Sequence, residues 1–168
     1  RVLEGHTDHI FSVAWSSDGR HALSGSNDYT VRLWEVASGR CLRVLEGHSG
    51  NVLSVAWSSD GRQALSGSGD GTVRLWEVAS GRCLRVLGGH AESVKSVAWS
   101  GDGRHALSGS NDTLVQVWEV VSGRCLRVLK GHLAPVMSVA WSSDGRQVFS
   151  GYFDGKLRVW DLPELAAE

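Results

Sequence analysis

The stretch "VAWSSDGRHALSGSNDYTVRLWEVASGRCLRVL", residues 13–45, decides the fold. Taken with the Ile-Phe-Ser before it, it holds four runs rich in Val, Leu, Ala and Trp, over 10–16, 20–26, 29–36 and 40–45. Each run has ordinary strand length, and each break is an Asp-Gly, Asn-Asp or Ser-Gly pair of the kind that closes hairpins. No helical period survives more than a few residues. The spacing predicts a four-stranded antiparallel meander. Val31 and Leu33 point to one side of its third strand and Trp34 to the other, so both faces are apolar and both must be covered. Ser12 and Ala14 keep the first strand small, as expected where strands crowd around an axis.

The same text returns with a period of 42, and 168 residues are four such periods: 1–42, 43–84, 85–126 and 127–168. Residues 1–42 and 43–84 agree at 34 of 42 positions, and all eight tryptophans fall on two phases of the repeat. Internal repetition outranks local propensity in setting an architecture. The expected fold is all-β, a β-propeller with four blades per chain, read as one propeller segment over 1–168.

The phrases "GH", "VAWSSDGR", "LSGSxD", "TVRLW" and "SGRCLRVL", which recur whole or with substitutions at fixed spacings from unit to unit, resemble the WD40-repeat family along the whole chain. The near-identity of the copies also resembles bacterial arrays of recently amplified WD40 repeats. One departure is that the signature dipeptide is Trp-Glu at 34–35, 76–77 and 118–119, and Trp-Asp only at 160–161. Residues 162–168 leave the pattern.

Bulk composition narrows the function classes. A net charge of −1 with 21% charged residues gives no electrostatic reason to expect nucleic acid or an anionic membrane as partner. No apolar run reaches the length of a membrane span, and no signal-like segment opens the chain. The lack of an initiator Met suits an excerpt of a larger protein. Cys41, Cys83 and Cys125 occupy one repeat position in three units, so they are expected to stay unpaired as small apolar fillers. That suits a cytoplasmic location.

Ser, His and Asp recur in every unit and invite a hydrolase reading. The sets are His6, Ser24, Asp28 and Trp34; His48, Ser66, Asp70 and Trp76; His90, Ser108, Asp112 and Trp118; and His132, Ser150, Asp154 and Trp160. The family resemblance implies that each set is a structural tetrad: indole to Ser, Ser to His, His to Asp. A satisfied network of this kind ties the loop before the first strand to the second and third strands. A nucleophile would need a free Ser oxygen and an oxyanion hole, so the expectation is scaffolding and no catalytic residue. Ser26 shares a strand face with Ser24 and is the alternative member. "HTDH" at 6–9 is too thin in ligands for a metal site. "SGSGDG" at 66–71 lacks the Lys and helix of a phosphate loop. His21 and His105 alternate with Gln63 and Gln147, as exposed polar positions do, and each "DGR" is a turn with a solvated Arg. No cofactor and no metal are expected.

The chain opens on "RVL", the tail of the fourth-strand phrase, while the fourth unit lacks that strand. Rings of this family close by lending the last blade a strand from the other end, so Arg1, Val2 and Leu3 are expected to act as the ring-closure strand. Four blades closing alone must each turn about 90°, whereas eight turn about 45°; an open half-ring would bare two apolar faces. The expected assembly is therefore an eight-bladed ring formed by a head-to-tail homodimer through strand exchange. The alternative is a four-blade segment of a longer chain.

The expected function is a non-catalytic scaffold for protein or peptide partners. An excised or designed module without a ligand is the alternative, and a Ser-His-Asp hydrolase a remote one. Partners are expected at the positions where the repeats disagree. These are His9, Asn51, Ser93 and Pro135; Phe11, Leu53, Lys95 and Met137; and Asn27, Gly69, Asn111 and Phe153. The first two groups flank the start of the innermost strand and the third lies in the hairpin before the tetrad Asp, so all fall at one end of a blade.

Overall fold

Alternating Val and Leu runs interrupted by Asp-Gly turns fold as hairpins, and a computed structural model describes residues 1–165. Blade 1 is β1 (Ile10–Trp15), β2 (His21–Ser26), β3 (Val31–Glu35) and β4 (Arg40–Leu45). Blade 2 is β5 (Val52–Trp57), β6 (Gln63–Ser68), β7 (Thr72–Glu77) and β8 (Arg82–Gly88). Blade 3 is β9 (Val94–Trp99), β10 (His105–Ser110), β11 (Val115–Glu119) and β12 (Cys125–Leu129). Blade 4 is β13 (Val136–Trp141), β14 (Gln147–Tyr152) and β15 (Leu157–Asp161), followed by a 3₁₀ turn at Pro163–Leu165. Every sheet is antiparallel with strands in chain order, so each blade is a meander.

The β1–β2 turn shows the local logic. Ser16 Oγ donates to Asp18, Asp18 accepts from Arg20 N–H, and Gly19 takes φ 69°, a conformation costly for residues with a Cβ. The motif repeats at 58–62, 100–104 and 142–146. The recurring Ser and Asp therefore build the turn, while the Arg side chain faces solvent.

The core lies between blades rather than within them. Leu23, Val31, Leu33 and Leu45 of blade 1 meet Val52, Val55, Ala64, Trp76 and Val78 of blade 2. The same positions one and two periods later form the junctions of blades 2 with 3 and 3 with 4. The inner strands β1, β5, β9 and β13 pack in that order. Ser12 and Ala14 do more than save space: Ser12 Oγ accepts Val55 N–H at 3.1 Å, and the Ala14 carbonyl accepts Trp57 Nε1–H at 3.2 Å. The next junction repeats both bonds.

Among the described residues, both ends of the row are exposed. On blade 1, Ile10, Val13 and Trp15 are exposed, Val13 at 72%. On blade 4, Phe149, Leu157 and Val159 are exposed. The cysteines are unpaired, with Cys Sγ near the carbonyl two residues on. Among the described residues no helix is long and apolar enough to cross a membrane.

Candidate functional site

In blade 2, Trp76 Nε1–H donates to Ser66 Oγ at 2.8 Å, and Ser66 Oγ lies 2.7 Å from His48 Nε2. His48 Nδ1 lies 2.8 Å from Asp70. Burial would raise the Asp70 pKa, but hydrogen bonds from Thr72 and His48 outweigh it and hold the carboxyl down at about 2. Burial pulls the His48 pKa below 6.5 against the attraction of Asp70. The pair is thus carboxylate and neutral imidazole. Nδ1–H donates to Asp70, and Nε2 accepts the Ser66 hydroxyl. His6, Ser24, Asp28 and Trp34 repeat this, in the same order of bonds, at 2.8, 2.6 and 2.7 Å. His90, Ser108, Asp112 and Trp118 do so at 2.8, 2.7 and 2.8 Å.

The connectivity is that of a hydrolytic triad, but its setting is not. Ser66 is 0% exposed, and its oxygen already accepts the indole N–H. A nucleophile needs access to substrate, and this oxygen has none. Ser26 is used elsewhere: its Oγ accepts Asp28 N–H and donates to the Asp8 carbonyl, bracing the same loop.

Blade 4 departs from the expected four equal tetrads. Trp160 Nε1–H still donates to Ser150 at 2.8 Å, but Ser150 bonds the Tyr152 hydroxyl at 3.2 Å rather than His132. His132 stacks on the Tyr152 ring at 4.1 Å and turns Nε2 toward Asp154 at 3.3 Å, while its Nδ1 accepts Ala134 N–H. The cause is one position: Tyr152 stands where the other repeats have Ser26, Ser68 and Ser110. A phenol reaches Ser150 and excludes the imidazole. The substitution is plain in the sequence; its reach is not.

The variable positions gather on the rim above the tetrads. Asn27 N–H donates to the His9 carbonyl, Gly69 to Asn51, Asn111 to Ser93 and Phe153 to Pro135, at 2.8 to 3.0 Å. Two of the sequence groups are therefore bonded pairwise in every blade. The remaining group, Phe11, Leu53, Lys95 and Met137, occupies a β-bulge. Ile10 faces Ser26 and Ser12 faces Gly25, leaving Phe11 without an opposite residue, and the other three blades slip likewise. A bulge re-aims its extra side chain, which explains why these positions tolerate Phe, Leu, Lys and Met. Phe11, Met137 and Phe153 are exposed, Phe153 at 75%, and so is His9, which bonds the neighbouring Asp8.

Three further residues at this end of the blades escape a sequence reading. Leu133, in the loop after the Gly-His pair, is fully exposed. Tyr29 is exposed with φ 70°, and Thr113 has φ 75°, where the other two repeats place Gly71 and Gly155. Non-glycine residues in this conformation are uncommon, and the Tyr-for-Gly exchange between repeats was the available signal. On the opposite rim, a cavity of about 740 Å³ opens between blades 1 and 2, floored by Leu33, Leu42 and Trp57 and edged by Asp18, Asp60 and Arg62. Among the described residues no group of three or more His, Cys, Asp or Glu is placed to hold a metal ion.

Comparison with known proteins agrees with this architecture. The family model described as "WDR90, 4th beta-propeller" matches residues 9–149. Curated relatives include the ribosome biogenesis protein BOP1 homologs of Drosophila willistoni and Drosophila melanogaster, each 50% identical over 42 residues, the length of one repeat. That match covers 25% of this chain and only 5% of either relative. With a family model spanning most of its length and antiparallel blades at every repeat, the chain belongs to the WD40-repeat β-propeller family.

Proposed function

We propose that this chain is a non-catalytic scaffold that presents one rim of a propeller ring to protein or peptide partners. The observation carrying this reading is the contrast within each blade: a sealed tetrad below, and variable side chains aimed outward by a bulge above. Phe11, Met137 and Phe153 put apolar surface where folding does not use it. Apolar and aromatic side chains on a rigid frame are what protein interfaces favour. The ring itself is an eight-bladed homodimer, in which Arg1–Leu3 serve as the outer strand of the partner's last blade. Two uncovered apolar faces support it, and an obligate interface of this type buries roughly 2,000 Å² or more. Three unpaired cysteines suit a reducing, cytoplasmic setting.

The test is a triple variant, Phe11→Ser, Met137→Ser and Phe153→Ser, used as bait beside the parent chain. The parent should capture a partner, and the variant should lose it with its melt and mass unchanged. Capture that survives this change but fails after edits around Asp18, Asp60 and Arg62 would move the site to the cavity on the opposite rim. Absence of any partner for the parent would favour a module without a ligand. Ester hydrolysis abolished by Ser66→Ala in a folded protein would restore the hydrolase.

A further inference from the structure

The cavity between blades 1 and 2 recurs at the junction of blades 3 and 4, and there the chain supplies its own occupant. The 3₁₀ turn at Pro163–Leu165 lays Leu165 against the apolar cluster that contains Val117, with Trp141 packed on the same cluster. Val117 and Trp141 stand two periods after Leu33 and Trp57, the floor of the cavity between blades 1 and 2. With Leu165 in place the opening is about 370 Å³ against about 740 Å³, and Leu165 itself forms its wall with Asp102, His105 and Asp144.

The same turn brings a charge. Arg127 Nη1–H donates to the Leu126 carbonyl at 2.9 Å, which aims Nη2 at the Glu164 carboxylate, 3.3 Å away. Arg43, two periods earlier, is set in the same way. Its Nη1–H donates to the Leu42 carbonyl at 3.1 Å and its Nη2–H to the Ala79 carbonyl at 3.2 Å. A neutral carbonyl thus holds the place that Glu164 takes. Where blade 4 has Leu165, blade 2 has Gly81, which brings no side chain to the floor. The middle junction differs: Arg85 turns both Nε and Nη2 onto the Val121 carbonyl, at 3.0 and 2.7 Å, so its fork is folded onto the backbone.

We propose that the cavity between blades 1 and 2 binds a segment of a partner protein in which an acidic residue is followed by leucine. The carboxylate pairs with Arg43, and the leucine packs on Leu33, Leu42 and Trp57. The occupant is read from the filled junction, where Glu164 and Leu165, in that order, meet the equivalent arginine and the equivalent floor. Asp18 and Asp60 at the edge do not bar an acidic ligand, because their counterparts Asp102 and Asp144 stand at the opening that Leu165 lines. Every residue lining the cavity falls between Ser16 and Ala79, inside two complete blades, so the site needs neither end of the chain. It lies on the rim opposite the variable positions and does not rest on their binding anything.

The experiment is a heteronuclear NMR titration of the full chain with the capped peptide Ala-Pro-Glu-Leu-Ala, read at the indole N–H of Trp57, which donates to the Ala14 carbonyl at the cavity floor. This resonance should shift and saturate. Replacing the peptide's leucine by alanine should weaken binding about 10-fold, the loss expected for one buried aliphatic side chain. Arg43→Glu should weaken it about as much, and a peptide with lysine in place of its glutamate should bind that variant better than the parent. The charge swap keeps the test decisive, since a misfolded variant would bind neither peptide. Arg85→Glu should leave the affinity unchanged. A Trp57 resonance that stays put, or an affinity indifferent to both the leucine and Arg43, overturns the site. Loss with Arg127→Glu and not with Arg43→Glu also overturns it, by placing the peptide at the junction of blades 3 and 4.

Discussion

Blade 3 and blade 4 carry related residues at related positions, yet their third strands live in different surroundings. Val115 of β11 is 0% exposed, whereas Leu157, one period later on β15, is 64% exposed. Neither strand is more hydrophobic than the other in any way that accounts for this. Blade 3 has blade 4 stacked on it; among the described residues blade 4 has no neighbour on that side. Burial in this molecule belongs to the junction and not to the repeat, as expected when each unit cannot cover its own two faces. The comparison extends to the tetrads, complete in blade 2 and rearranged in blade 4 around Tyr152.

The largest expected effect separates the glycine notch at Gly109, which Val136 fills, from the one at Gly151, left open among the described residues. Gly109→Val drives a side chain into Val136 and Val139 and should cost about 3 kcal/mol of folding stability at any protein concentration. Gly151→Val should cost nothing in the dilute limit and should only lack the rise in midpoint that assembly gives the parent as concentration increases. Urea melts at two concentrations check both, and equal losses would break the distinction between the blades.

A smaller difference is expected between tetrads. Asp70→Ala strands the buried Nδ1–H of His48, with Thr72 and Ser49 N–H also losing their acceptor, and should cost about 1–3 kcal/mol. Asp154 is partly exposed and holds His132 only at 3.3 Å, so Asp154→Ala should cost less than about 0.5 kcal/mol. Thermal melts read both, and matched losses would mean that blade 4 keeps a working tetrad.

The smallest effect is the pH dependence. His48 titrates below its ordinary 6.5 in the fold, so the unfolded chain takes up a proton that the fold refuses, and stability falls as pH drops below 6.5. Asp70 titrates at about 2 instead of 3.8, so its contribution is present above pH 3.8 and is lost as pH falls toward 2. In His48→Asn the slope of stability against pH just below 6.5 should be shallower than in the parent. An unchanged slope would assign the acid sensitivity to other groups.

Much of the site could be read from residue types and spacing. The 42-residue period locates the His, Ser, Asp and Trp of each copy, and the structure brings the four together in blades 1 to 3 but not in blade 4. The same period groups the variable rim positions, because a two-residue alternation along β1 and a hairpin before Asp28 both place side chains at one blade end. Sequence missed the bulge at Phe11, since a slipped pair depends on how β1 meets β2 and leaves no mark in composition. It also missed how far Tyr152 reaches, since a ring's neighbours are set by folding.

The chain's own letters determine the strands, the Asp-Gly turns and the repeat, because those depend on φ/ψ preferences and alternation within a few residues. Tertiary structure alone decides which of four similar faces are covered, where a glycine is a filled notch rather than an empty one, and which histidine keeps its serine. Those outcomes depend on atoms of the neighbouring blade: Val136 closes the notch at Gly109, and among the described residues no blade stands over Gly151.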